Sequence, residues 1–73
     1  MTRILLVDDY PIVVQGLKQV LAEAIARVEF GEAPDAEAAL RLLRGSDWDI
    51  VILDLSLPDR SGLEVLKLSL IHI

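Results

Sequence analysis

Apolar positions come in two kinds of pattern along this chain, unbroken runs and helical stripes, and they alternate. Ile4-Leu5-Leu6-Val7 is an unbroken apolar run rich in branched residues. Such runs suit strands buried on both faces, as in parallel sheets. Pro11 fits the first position of a helix, where its missing N–H costs nothing. Val13, Leu17, Val20, Leu21 and Ala24 follow at helical spacing and predict one apolar stripe. Gly16 lies inside this helix and weakens it, and a close approach to a sheet would account for it. Val28 to Ala33 alternates apolar and polar positions around Glu29 and predicts a shorter, more exposed strand. Pro34 ends it, and Asp35 is a good N-cap for a second helix. That helix carries Ala36, Ala39, Leu40 and Leu43 on one side and stops at Gly45.

Trp48 to Leu53 predicts a third strand, with Trp48 packed at its entry. Leu57-Pro58-Asp59-Arg60 predicts a turn or loop. Ser61 and Glu64 form a Ser-x-x-Glu capping box that opens a third helix, with Leu63, Leu66 and Leu70 along its apolar side. Strand and helix therefore alternate, which implies parallel crossovers and an α/β sheet. The expected architecture is part of a doubly wound parallel sheet with strand order 2-1-3, cut short after the start of helix 3. Residues 1–67 form the partial domain. Residues 68–73, Leu-Ser-Leu-Ile-His-Ile, are strongly apolar with neither cap nor polar stop, and are expected to be a non-native tail.

Composition changes this picture in three ways. Hydrophobic residues make up 53% of the 73 positions, and the mean hydropathy is +0.50. A domain this small buries only about 60% of its unfolded surface, so the excess points to an interface or to a piece of a larger core. The net charge of −5 argues against nucleic-acid binding by this segment's own field. No cysteine is present, which removes disulfides and thiolate metal sites and suits a cytoplasmic protein. No stretch approaches the length of a membrane span.

The candidate chemistry sits where the apolar runs end. Asp8 and Asp9 close the first run, and Asp54 closes the third strand. Adjacent strands lie about 4.8 Å apart, and doubly wound sheets bind ligands beyond the carboxyl ends of their strands. With strand 1 beside strand 3, all three carboxylates meet at one edge. Charges so close repel one another, and a divalent cation relieves the repulsion. Mg²⁺ takes oxygen ligands, usually one or two carboxylates together with phosphate oxygens. One carboxylate is then free to act as a nucleophile and form an aspartyl phosphate, and Asp54, alone at its strand end, is the best candidate. The bland alternatives are a helix cap for Asp8-Asp9 and a turn residue for Asp54.

These motifs together resemble the N-terminal part of a response-regulator receiver domain, a CheY-like, flavodoxin-like fold. The resemblance rests on Ile4-Leu5-Leu6-Val7-Asp8-Asp9, on Val51-Ile52-Leu53-Asp54-Leu55-Ser56-Leu57-Pro58 and on Ser61-Gly62-Leu63-Glu64, and it covers residues 3–67. Asp9-Tyr10-Pro11-Ile12-Val13 with Gly16-Leu17 is similar to LuxR-type transcriptional regulators, although Tyr10 stands where that pattern usually has His. The resemblance implies that Asp54 accepts phosphate from a sensor histidine kinase. It implies Mg²⁺ bound directly by Asp9 and mainly through water by Asp8, with Asp54 and the backbone carbonyl of Ser56 as further metal ligands. It implies transcriptional control through a DNA-binding domain that these 73 residues do not include. The family's strand-four Ser/Thr and strand-five Lys are likewise absent, and Lys67 and Ser69 lie in the wrong place to replace them. A chain of this extent is expected to be unstable or to self-associate through the edge of its third strand. Two other functions compete. A metal-dependent phosphatase with an aspartyl nucleophile usually carries a second acid two residues on, where this chain has Ser56. An inert fragment is the other.

Overall fold

The computed structural model describes residues 1–54 together with 62, 64 and 65. Three strands and two helices follow one another as β1 (Thr2–Val7), α1 (Pro11–Ala24), β2 (Val28–Ala33), α2 (Ala36–Gly45) and β3 (Ile50–Leu53). The strands form one parallel sheet in the order β2-β1-β3, as the alternation predicts. In register, Ile4 lies beside Phe30 and Ile50, and Val7 beside Ala33 and Leu53. Among the described residues no helix is long and apolar enough to cross a membrane.

β1 is the central strand, and Ile4, Leu5, Leu6 and Val7 are fully buried. Successive side chains of a strand point to opposite faces, so this one run feeds two cores. Leu5 and Val7 join Ala33, Ala36 and Ala39 under α2, with Leu40, Leu43, Trp48, Val51 and Leu53 around them. Ile4 and Leu6 join Val14 under α1, with Leu17, Leu21, Val28, Phe30 and Ile52 around them.

α2 follows its sequence signals closely. Asp35 Oδ1 accepts the Ala38 N–H at 2.8 Å, which satisfies one of the orphan donors of the first turn. Gly45 is the last helical residue, but it has no left-handed backbone. The chain leaves through Ser46 in extended conformation (φ −152°), whose N–H donates to the Leu42 carbonyl.

α1 departs from expectation on two points. Its inward face is Val14, Leu17 and Leu21, continued by Ile25, whereas Val13, Val20 and Ala24 of the expected stripe are exposed. Two stripes of helical spacing overlap in this segment, and only contact with Ile4 and Leu6 decides between them. Gly16 makes no close approach to the sheet: a Cβ built there meets nothing within 4 Å. It lies about 200° around the helix from Val14, on the outward side.

Strand lengths also shift. β1 begins at Thr2 because the Thr2 N–H reaches the Arg27 carbonyl and Arg3 is bridged to Asp49. The Arg3 N–H donates to Asp49 Oδ2 at 2.8 Å, and the Asp49 N–H donates to the Arg3 carbonyl at 2.9 Å. β3 begins only at Ile50, so Trp48 precedes the strand and anchors it. The indole Nε1–H donates to the Leu42 carbonyl at 3.1 Å, the ring lies against Gly31, and the Arg3 guanidinium stacks 4.6 Å from the ring centroid. The expected turn at 57–60, Ser61 of the capping box, Leu63, Leu66, Leu70 and the tail 68–73 lie outside the described residues. Gly62, Glu64 and Val65 are helical.

Candidate phosphoacceptor and cation site

The site is the carboxyl edge of the sheet. Each flanking ladder continues one residue past the last paired strand position. The Asp8 N–H donates to the Ala33 carbonyl at 3.0 Å, and the Asp54 N–H donates to the Val7 carbonyl at 2.9 Å. Those bonds place Asp8 and Asp54 side by side, one strand spacing apart. One carboxylate oxygen from each of Asp8, Asp9 and Asp54 lies within 4.8 Å of the others. Asp8 and Asp54 are half-buried and Asp9 is exposed.

Asp8 and Asp9 do not cap α1. The N-cap is Tyr10, whose side chain makes no capping bond, and the helix starts at Pro11. A capping carboxylate bonds the N–H of the second or third helical residue, and Asp8 and Asp9 lie too early in the chain for that. Instead Asp8 Oδ1 accepts the Tyr10 N–H at 2.9 Å. This bond turns the chain from strand into helix and fixes one oxygen of Asp8. The positive end of the α1 dipole lies just beyond, where negative charge is favoured.

Among the described residues, two shallow hollows flank Asp8. One, of about 220 Å³, is lined by Asp8 and Asp54 together with apolar side chains that include Leu17 and Ile52. The other, of about 150 Å³, lies between Val14 and Pro34 and is rimmed by Asp8, Asp9 and Glu32. Glu32 is a rim residue that sequence reasoning missed. It shares the α1-facing side of β2 with Val28 and Phe30, so the strand alternation carried the signal. Its carboxylate pairs with the Lys18 ammonium. Trp48 and its contacts with Arg3 lie at the other end of the sheet from the three aspartates, which leaves the packing role as its reading. Arg41 and Arg44 are exposed on α2, and Arg41 pairs with Glu37 at 3.3 Å. Ser56 and Arg60 lie outside the described residues.

Oxygen donors grouped in this way fit a small, hard divalent cation, whose ligands are carboxylates, carbonyls and water. A carboxylate beside such an ion, at an open edge, can also receive a phosphoryl group.

Comparison with known proteins agrees. The model of the response regulator receiver domain matches residues 4–69. The nitrate/nitrite response regulator protein NarL of Escherichia coli K12 is 40% identical over 63 residues, which is 86% of this chain and 29% of that protein. The transcriptional regulatory protein YdfI of Bacillus subtilis 168 is 37% identical over 67 residues, 92% of this chain and 32% of that protein. The response regulator UvrY of Escherichia coli K12 is 34% identical over 67 residues, 92% of this chain and 31% of that protein. The chain thus spans about a third of the length of these relatives. No solved structure gives a significant match. With the family model covering nearly all of its length, and with three parallel strands in the order 2-1-3, the chain belongs to the response regulator receiver domain family.

Proposed function

We propose that the chain is the phosphoacceptor part of a two-component response regulator, taking a phosphoryl group onto Asp54 from a phosphohistidine of a sensor histidine kinase, with Mg²⁺ as cofactor. The observation that carries this reading is the convergence of the Asp8, Asp9 and Asp54 carboxylates to within 4.8 Å. Asp9 and Asp54 would hold the ion directly, Asp8 mainly through water, and the backbone carbonyl of Ser56 would complete the protein ligands. The bond from the Tyr10 N–H supports the secondary role of Asp8, because one of its oxygens is already engaged. Bound Mg²⁺ neutralises charge on the carboxylates and on the incoming phosphoryl group.

In the transfer, an Asp54 carboxylate oxygen bonds to phosphorus while the phosphorus–nitrogen bond breaks. The electron pair returns to the imidazole nitrogen of the kinase, and an acyl phosphate remains on Asp54. The backbone bond to Val7 sets the half-buried Asp54 at the carboxyl edge of the sheet, where it lines the 220 Å³ hollow, and this supports its reading as the acceptor. This is group acceptance within signalling and not turnover of a substrate. Output would run through a DNA-binding domain beyond these residues, in the cytoplasm. The names of the relatives NarL and YdfI support a regulatory output. The net charge of −5 keeps this segment itself off DNA. Among the described residues β3 lies at an edge of the sheet, and its Ile-Val-Ile-Leu run carries no charge, which favours self-association of the isolated chain.

Treatment with a small-molecule phosphodonor and Mg²⁺ tests the proposal. The expected result is a base-labile adduct on Asp54, found by mass spectrometry and missing from Asp54→Asn. Sustained release of inorganic phosphate would point instead to a phosphatase. No adduct, together with no Mg²⁺ binding by calorimetry, would leave an inert chain.

A further inference from the structure

We draw no further inference here: the strongest candidate, the exposed apolar face of α1 formed by Tyr10, Ile12, Val13 and Val20 beside the acidic edge, is unpartnered among the described residues and nothing in the structure shows what covers it.

Discussion

On one face of the sheet, α2 sets Ala36 and Ala39 flush against Leu5 and Val7; on the other, α1 gives Val14, Leu17 and Leu21 to Ile4 and Leu6 but leaves Ile12 and Val20 at 88% and 64% exposure. The helix ends differ in the same direction. α2 has a side-chain cap in Asp35, an acid in its first turn (Glu37), a base in its last (Arg44) and an exposed Glu37–Arg41 pair. α1 has none of these devices, and Pro11 alone marks its start. The reason lies at the acidic edge. The acids that precede α1 serve the sheet edge and not the helix. Asp8 and Asp9 stand too early to reach its N–H groups and converge with Asp54 instead. The helix nearest the chemistry is thus the less self-sufficient of the two, and it relies on tertiary packing for its stability.

If the two layers differ in this way, substitutions should separate them. The largest effects are expected at the shared strand. Leu5→Ala and Leu6→Ala each empty a fully buried position, and each should cost about 2–5 kcal/mol in urea denaturation. Near-equal losses would show that both layers close tightly on β1. A much smaller loss for Leu6→Ala would mean that the α1 layer is already loose.

Next comes Gly31→Ala. A Cβ there would overlap Trp48 Cη2, and the indole is held by its bond to Leu42 and by Arg3. We expect a loss of about 1–3 kcal/mol, typical of overpacking, together with a change in the near-ultraviolet circular dichroism of the only tryptophan. An unchanged spectrum and midpoint would contradict the tight closure of the α2 layer.

Asp35→Ala removes the α2 cap and should cost about 1 kcal/mol, whereas Tyr10→Ala at the corresponding position of α1 breaks no side-chain capping bond and should cost less. Equal costs in thermal melts would erase the contrast between the helix starts. The smallest effect carries the opposite sign. Gly16→Ala meets open space on a helical backbone and should stabilise the chain by about 0.5–1 kcal/mol. A loss there would reveal a contact on the outer face of α1.

Much of this organisation can be read from the order of residues alone. Ile4 to Val7 is legible because a strand buried on both faces needs an unbroken apolar run, Ile50 to Leu53 is a second such run although β3 is only half-buried, and the ends of the two runs place the aspartates. Asp35 is legible because capping is a local interaction. The inward face of α1 is not, because Ile12, Val13, Val14, Leu17, Val20 and Leu21 allow more than one stripe of helical spacing. Thr2 and Arg3 hide as strand residues for a related reason: their pairing depends on Arg27 and Asp49, far away in sequence. Trp48 looks like a strand residue by propensity, yet its indole bond to Leu42 holds it outside the ladder. The bond from the Tyr10 N–H to Asp8 is invisible to periodicity because it belongs to a turn. For the α1 face, the start of β1 and Trp48, the missing information is a tertiary partner.

The two backbone bonds that extend the ladders past Val7 and Leu53 have a consequence for motion. Asp8 and Asp54 are continuations of the central strand and its neighbour, and not passengers on a loop. Freeing the Asp8 backbone means opening the end of the sheet's most buried strand, which costs far more than the fraying of a surface segment, whereas freeing Asp54 frays only the end of the edge strand β3. Of the three aspartates, Asp8 therefore has the most firmly held backbone. Asp9, exposed and one residue further on, has the slack to adjust. The acidic edge thus joins one firmly anchored backbone position, Asp8, to two with more slack, Asp54 and Asp9.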